Sequence, residues 1–349
     1  MRERWDWLYF FQIIALGSLS VLIISAINPV LARNQLLFWA IGLFILFWAS
    51  KIDYQRWANY AIVFYAVSLV ALIALFFIGS PIRGSIRWID LGFFRFQPAE
   101  IAKAATILFL AKFYSHNSAG KLTNLILGFV IILPAIALIF FQPDIGNTFA
   151  FFIIWLGIIF AAGLKIKHAI ILLAVSAILL FTLFQVLAPY QKERLTTFVN
   201  PVSDPLGTGY NIIQSKIAIG SGLIFGKGYG YGSQSQLQFL PEAESDFIFA
   251  SISEHLGLTG ASLILVLFTW LMFRTINFTK STDRFGQLII IGMVSYLLVQ
   301  FLVNVGMNLG LLPVTGITFP LISYGGSSLI TNLFILGIVF AIAKKTTNY

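Results

Sequence analysis

Apolar runs of about 20 residues alternate with short polar segments along nearly the whole chain. About 20 mostly apolar residues are needed for a helix to cross the hydrocarbon core of a bilayer. Ten segments meet or nearly meet this requirement: residues 8–27, 35–50, 57–79, 97–114, 122–141, 144–163, 166–187, 246–273, 285–305 and 327–343. The pattern predicts an all-α polytopic membrane protein in which residues 1–349 form one transmembrane domain. Its one large loop, residues 188–245, connects the seventh and eighth spans.

Lysine and arginine are unequally distributed between the two sets of connecting segments. With the N-terminus in the cytoplasm, one side carries Arg2, Arg4, Lys51, Arg56, Lys112, Lys121, Lys165, Lys167, Arg274, Lys280, Arg284, Lys344 and Lys345. The short loops of the other side carry only Arg33, Arg83, Arg87 and Arg95. Basic residues are enriched in cytoplasmic loops. Both termini are therefore predicted to be cytoplasmic, and the 188–245 loop to be extracytoplasmic.

The composition agrees with a membrane protein and excludes several other classes. Apolar residues make up 59% of the 349 residues and charged residues 10%, against about 25% charged in a typical soluble domain. The net charge of +9 comes from scattered basic residues without a basic stripe, so no nucleic-acid partner is expected. The chain has no cysteine, which excludes thiolate catalysis and cysteine-ligated metals. No phosphate-binding loop and no cluster of metal-ligand type is visible, so no metal site is predicted.

Charged residues within or beside the predicted spans are the first candidates for function. Glu100 and Lys103 lie three residues apart near the start of the fourth span and therefore share one helix face. They either neutralise each other as a local ion pair or line a polar cavity. Asp144 follows Gln142 and Pro143 at the turn before the sixth span, a position that favours an N-cap.

Asp246, at the outer end of the eighth span, is the sharpest candidate. One interpretation makes it part of a helix N-terminus, because Glu242 and Glu244 just before it also suit the positive end of a helix. The other makes it a general base for a lipid-linked substrate, because a carboxylate at headgroup depth suits proton abstraction there. Glu254 and His255 lie deeper, where they either support Asp246 or satisfy each other.

The residues alone leave two classes of function open. An enzyme acting on a lipid-linked anionic substrate would use a carboxylate as base and basic side chains to meet phosphate. The basic candidates are Arg83, Arg87, Arg194, Lys216 and Lys227. A transporter or flippase would use a polar path at the bilayer midplane and often shows inverted repeats. No such repeat is apparent, and the charged candidates cluster toward one face, which favours chemistry at the surface.

Five extended segments carry a resemblance to a known family. They are GSIRWIDLGFFRFQPAEIAKAATILFLAKFY (84–114), FQPDIGNTFAF (141–151), PYQKERLTTFVNPVSDPLGTGYNIIQSKIAIGSG (189–222), GSQSQLQFLPEAESDFIFA (232–250) and NVGMNLGLLPVTGITFPLISYGGSS (304–328). In this order, on ten predicted spans, they resemble the SEDS family (shape, elongation, division and sporulation). The stretches IIQSKIAIGSG and SQSQLQFLP favour its elongation branch.

The resemblance implies a peptidoglycan glycosyltransferase of the bacterial plasma (inner) membrane. Such an enzyme polymerises lipid II into glycan strands at the outer face, together with a class B penicillin-binding protein that crosslinks them. The matching positions are Asp246 for the family's essential aspartate, Glu100 and Lys103 for its fourth-span charge pair, Trp88 and Arg87 for its first outer-loop motif, and Asp144 for its QPD turn. This chain has Glu244-Ser245 where the family commonly has His-Thr.

The mechanism implied by the resemblance is an inverting transfer. Asp246 would accept the proton of the acceptor GlcNAc 4-hydroxyl, and undecaprenyl pyrophosphate would leave, steadied by Arg87, Lys216 and Lys227. The resemblance implies no certain cofactor, and a divalent cation (Mg²⁺ or Mn²⁺) that shares this role is left open. A lipid II flippase and a non-catalytic scaffold that activates a penicillin-binding protein remain as alternatives.

Overall fold

The computed structural model describes residues 6–82, 85–90, 92, 95–186, 197–198 and 207–346. These residues form twelve α-helices: α1 (Trp7–Ile27), α2 (Pro29–Lys51), α3 (Tyr54–Ile78), α4 (Pro98–His116), α5 (Leu122–Phe141), α6 (Ile145–Ala161), α7 (Ile166–Val186), α8 (Thr208–Ser221), α9 (Ser233–Gln236), α10 (Ile248–Asn277), α11 (Arg284–Asn308) and α12 (Gly326–Thr346). A short 3₁₀ helix, Phe278–Ser281, follows α10.

Every one of the ten predicted spans coincides with a helix, which confirms the predicted fold class. Among the described residues, seven helices are long and apolar enough to cross a membrane: α1, α2, α3, α5, α10, α11 and α12. Helices α6 and α7 contribute shorter apolar stretches, and α4 carries Glu100, Lys103 and Lys112. The count of ten membrane crossings therefore stays a prediction.

Helix α2 begins six residues before the predicted span at residue 35. The side chain of Asn28 accepts hydrogen bonds from the amides of Val30 (3.0 Å) and Leu31 (3.3 Å). Pro29 occupies the first turn, where its missing N–H costs nothing and its fixed φ suits a helix. The Asn-Pro pair is thus a helix start that the hydropathy pattern alone does not reveal.

The described residues between α3 and α4 form a small sheet. The strands are β1 (Ser80–Ile82), β2 (Ser85–Asp90) and β3 (Arg95–Phe96). They pair antiparallel in the order β1-β2-β3. The sheet fixes the direction of Arg87 and Trp88, which lie next to each other on β2.

Helix α10 is broken at Gly257, although the sequence predicts a continuous span over residues 246–273. Gly257 has φ 67° and ψ −163°, values that favour glycine. Residues 223–228 of the preceding loop complete the hydrogen bonding on both sides of the break. The bonds are Leu258 N to Leu223 O (2.9 Å), Thr259 N to Ile224 O (3.1 Å), Lys227 N to Glu254 O (2.9 Å) and Gly228 N to His255 O (3.1 Å). Backbone groups at membrane depth need such partners.

The described helices bring the predicted cytoplasmic segments to one end of the bundle. Arg274 after α10 donates to Asp6 before α1 at 2.7 Å, and Tyr54 at the start of α3 donates to Asp283 before α11 at 2.7 Å. These contacts agree with the alternating topology predicted from the sequence. Helices α11 and α12 lie inside the bundle, since 67% and 89% of their apolar stretches are buried, against 28% for α2, α3 and α5.

Candidate active site

Asp246 lies in the 241–247 turn, immediately before α10, and is half-buried. Phe247 occupies the N-cap position of α10 and has no side-chain capping bond. Instead, the Ala250 amide in the first turn donates a hydrogen bond to Asn308 Oδ1 of α11 at 3.0 Å. Asp246 therefore lies directly before the N-cap residue, at the N-terminus of α10.

The Asp246 carboxylate faces the 309–325 segment, which connects α11 to α12. A Cβ placed on Gly316 of this segment would lie 3.6 Å from Asp246 Oδ2. Gly316 is exposed and has φ +75°. The carboxylate thus borders an open backbone segment at the outer end of the bundle, where a substrate group has room to approach.

The backbone before Asp246 is bonded to the end of the same segment. The carbonyl of Glu244 accepts from the Tyr324 amide at 2.8 Å, and the carbonyl of Ser245 accepts from Ser323 Oγ at 2.6 Å. The Glu244-Ser245 pair, the departure from the usual family pattern, is therefore held here through its backbone.

The carbonyl of Asp246 accepts two further bonds from asparagines of α11. Asn304 Nδ2 donates at 3.0 Å and Asn308 Nδ2 at 2.9 Å. Sequence reasoning missed both residues as candidates. The available signal was the pair of amide side chains four residues apart, on one helix face at the end of an apolar span.

Glu100 and Lys103 form a buried ion pair on α4. Lys103 is 0% exposed and Glu100 4%, and Lys103 Nζ lies 2.7 Å from Glu100 Oε1. Lys103 Nζ also donates to Asn147 Oδ1 at 2.9 Å and lies 4.8 Å from the centre of the Tyr296 ring. Tyr296 donates to Glu100 Oε2 at 2.9 Å. The geometry favours the ion-pair interpretation, because both charges are enclosed and bonded.

Asp144 caps α6, as the sequence predicts. Its Oδ1 accepts from the Asn147 amide at 3.1 Å, and its Oδ2 accepts from Asn147 Nδ2 at 2.8 Å. Arg87 Nε lies 3.5 Å from Asp144 Oδ2, and Arg87 also donates to the carbonyl of Pro143. Because Asn147 bonds both Asp144 and Lys103, the first outer loop and the α4 charge pair belong to one polar network.

This network also reaches the 309–325 segment. A Cβ placed on Gly146 would lie 2.9 Å from Ile317 Cγ1 and 3.0 Å from the carbonyl of Thr315. The start of α6, which Asp144 caps, therefore packs closely on residues 315–317. The structure thus brings this helix start and Asp246 to one short stretch of backbone.

The basic candidates for phosphate differ in how far they are already engaged. Lys227 Nζ bonds Glu254 Oε1 at 3.0 Å and Ser233 Oγ at 2.9 Å. Lys216 on α8 is exposed, and a Cβ placed on Gly310 would lie 2.7 Å from its Nζ. Arg83 and Arg194 lie outside the described residues.

The Glu254 carboxylate accepts hydrogen bonds from the loop before α10 and does not bond Asp246 or His255. It is 0% exposed and accepts from the amides of Gln234 (2.9 Å) and Ser235 (3.1 Å) and from Ser235 Oγ (2.8 Å). His255 Nδ1 lies 2.9 Å from the Ser251 carbonyl. In the described part of the chain, no group of three or more residues of metal-ligand type comes together.

A family model described as cell cycle protein, FTSW_RODA_SPOVE, matches residues 4–348. This chain belongs to that family. It is 40% identical over 311 residues to the peptidoglycan glycosyltransferase MrdB of Escherichia coli, covering 87% of this chain and 83% of that protein. It is 38% identical over 320 residues to stage V sporulation protein E of Bacillus subtilis, covering 90% and 87%.

Solved structures of the same fold include a protein within a complex and a protein on its own. The first belongs to a structure that describes how a peptidoglycan synthase complex coordinates polymerization and crosslinking. The chain matches it with a TM-score of 0.85 and 31% identity, covering 99% of both chains. It matches the rod shape determining protein RodA of Thermus thermophilus with a TM-score of 0.75 and 26% identity, covering 98% of this chain and 97% of that one. These matches confirm the family predicted from the sequence.

Proposed function

We propose that this protein polymerises lipid II into glycan strands at the outer face of the bacterial plasma membrane during cell elongation, with Asp246 as the general base. The chain is a multi-pass membrane protein of a family whose curated members include peptidoglycan glycosyltransferases. One observation carries the assignment of the base. The Asp246 carboxylate is half-buried outside the helix N-cap and faces the exposed backbone at Gly316.

The proposed reaction is a single displacement. The 4-hydroxyl oxygen of the lipid II GlcNAc attacks the anomeric carbon of the donor strand, and the bond from that carbon to the diphosphate oxygen breaks. The hydroxyl proton passes to Asp246, and undecaprenyl pyrophosphate leaves with the bonding electrons. A positioned general base contributes roughly 10²–10⁴-fold to such a step. The configuration inverts, because one carboxylate serves as base and no second one is required as nucleophile.

Among the described basic candidates, Lys216 is the best placed to meet the departing diphosphate. Arg87 is committed to Asp144, and Lys227 is committed to Glu254, whereas the Lys216 side chain is exposed. The neighbouring Ser215 Oγ donates to the carbonyl of Asn308 at 2.8 Å, and Asn308 in turn bonds Asp246. The proposal requires no cofactor, and adding Mg²⁺ or Mn²⁺ to the purified enzyme tests whether a cation shares this task.

Access for the polyprenyl tails is supported by two apolar grooves between helices. The larger, of about 730 Å³, is lined by α1, α2 and Tyr229, and the smaller, of about 230 Å³, by α2, α3, α4 and α12. Grooves that open sideways let the tails stay in the bilayer while the sugars react at its edge.

The proposed partner is a class B penicillin-binding protein that crosslinks the new strands. Support comes from the relative described in a synthase complex that couples polymerization and crosslinking. The outward faces of α10 and α11 are the proposed contact surface. Exposed apolar residues on these faces include Leu258, Leu263, Val266, Leu298 and Leu302.

The decisive experiment compares two readouts in the same vesicles. Wild type and Asp246→Asn are reconstituted with purified lipid II, and glycan polymer and transbilayer movement of lipid II are both measured. The proposal expects polymer from wild type alone and none from Asp246→Asn. A flippase would instead move lipid II without forming polymer. A scaffold would yield polymer only when a partner with its own glycosyltransferase domain is added.

A further inference from the structure

We infer that Asn304 and Asn308 of α11 are positioning residues that hold the Asp246 carboxylate in its reactive place. This inference rests on the proposed role of Asp246 as general base. Both asparagines are 0% exposed and lie four residues apart, so they share one face of α11. Both donate to the backbone carbonyl of Asp246 and not to its carboxylate. Both act on the peptide bond that carries it.

The two amide groups join three separate parts of the site. Asn304 Nδ2 donates to the carbonyls of Asp246 (3.0 Å) and Ile317 (2.8 Å). Asn308 Nδ2 donates to the carbonyl of Asp246 at 2.9 Å, while its Oδ1 accepts from the Ala250 amide at 3.0 Å. The start of α10 and the segment at Ile317 are thus tied to the same two side chains.

Because Ile317 follows Gly316 directly, the bond from Asn304 fixes the backbone that faces the carboxylate. One nitrogen atom therefore holds Asp246 and the opposite wall of the site at once. The space between the carboxylate and that wall is set by α11, a helix of the bundle interior. A base must lie within about 3 Å of the proton it accepts, and a misplacement of 1 Å can cost about 10²-fold in rate.

The chemistry of the contacts requires a carboxamide at these positions. An aspartate would keep an acceptor for the Ala250 amide but would donate nothing to the Asp246 carbonyl. A leucine of similar size would leave buried backbone groups without partners, which is costly. A side chain that both donates and accepts is needed at Asn308, and a side chain that donates twice is needed at Asn304.

The test uses Asn304→Ala and Asn308→Ala in the full chain, with Thr275→Ala as the matched control. Thr275 is 0% exposed and shares a hydrogen bond of 2.8 Å with the Tyr9 hydroxyl, at the end of α10 away from Asp246. Initial rates of polymer formation are measured against lipid II concentration, together with Tm. We expect kcat to fall by about 10- to 100-fold in both asparagine variants, with KM within about twofold of wild type. Thr275→Ala should keep kcat within about twofold at a comparable fall in Tm.

Asp246→Asn, measured in parallel, distinguishes a failure of the positioning inference from a failure of the proposed base. If Asp246→Asn loses polymer formation while well-folded asparagine variants keep kcat, the positioning inference is overturned and the proposed base stands. If Asp246→Asn retains the wild-type rate, both fall. A loss of kcat in Thr275→Ala equal to that in the asparagine variants also overturns the inference, because it would show a general structural effect. If the alanine variants do not fold, Asn304→Ser and Asn308→Ser take their place, because serine keeps a polar group that is too short to reach Asp246.

Discussion

Removing the positive charge of Lys103 is expected to be one of the most damaging single changes in the bundle. Lys103 is fully buried and has three partners, the Glu100 carboxylate, the Asn147 amide oxygen and the Tyr296 ring. Among the described residues, Lys103→Met leaves Glu100 as a buried charge whose remaining side-chain partner is the Tyr296 hydroxyl. Breaking a buried ion pair in this way costs about 3–5 kcal/mol of folding free energy.

The double variant Glu100→Gln/Lys103→Met should be considerably more stable than Lys103→Met alone. It removes both charges, and a glutamine still accepts from Tyr296. Replacing both members of a buried pair by neutral groups is often nearly neutral. The exchange Glu100→Lys/Lys103→Glu should recover only part of the loss, because the Tyr296 ring attracts a cation and not an anion.

The assay is thermal unfolding of purified protein together with polymer formation from lipid II. We expect Lys103→Met to lower Tm by on the order of 10 °C and to reduce polymer formation. Lys112→Met is the matched control, since Lys112 lies near the end of the same helix and forms no ion pair with another described residue. An equal fall in Tm and polymer formation in Lys112→Met would contradict this expectation. So would a Tm of Glu100→Gln/Lys103→Met that is no higher than that of Lys103→Met.

Three further predictions concern the ends and the break of the helices. Gly257→Ala should strongly lower Tm, because Gly257 has φ +67° and a Cβ there would lie 2.3 Å from the Gly226 amide nitrogen. Gly220→Ala is the control and should leave Tm unchanged, because a Cβ on Gly220 would meet nothing within 4 Å. Lys227→Met should loosen the loop that Glu254 holds, so limited proteolysis should cut residues 227–236 faster than in wild type, and unchanged cleavage would count against the contact. Burial favours a higher pKa for the Asp283 carboxyl, but hydrogen bonds from Tyr54, Gln55 and the Gly286 amide outweigh it and hold the pKa below its usual range. The stabilisation that this carboxylate contributes is present above the unfolded-state pKa of about 3.9 and is lost as pH falls through the folded-state pKa. Asp283→Asn should therefore lower Tm at pH 7 and flatten its decline in acid, and a Tm profile that follows wild type would oppose this.

Local features of the fold could be predicted because their physical causes are local. The spans follow from runs of apolar residues, the Glu100–Lys103 pair from a spacing of three on a helix, and the Asp144 cap from its place before an apolar run. The start of α2 at Pro29 was within reach through the Asn-Pro pair.

The remaining features depend on contacts between distant parts of the chain. The bonds from Asn304 and Asn308 to Asp246 span 58 and 62 residues, so their pairing follows only from how α10 and α11 pack. The break at Gly257 is invisible in hydropathy, because it is stabilised by a loop that precedes α10 and not by the residues around it. The β-sheet of residues 80–96 arises likewise from strand pairing that the aromatic and basic composition does not reveal.

The central claim is that the Asp246 carboxylate takes the proton of the attacking hydroxyl. Its most direct test is the initial rate of polymer formation from purified lipid II by wild type and by Asp246→Asn, with both proteins equally folded. We expect Asp246→Asn to be slower by about 10²-fold or more, because it lacks the base that takes the hydroxyl proton. A rate for Asp246→Asn within a few-fold of wild type would contradict the claim.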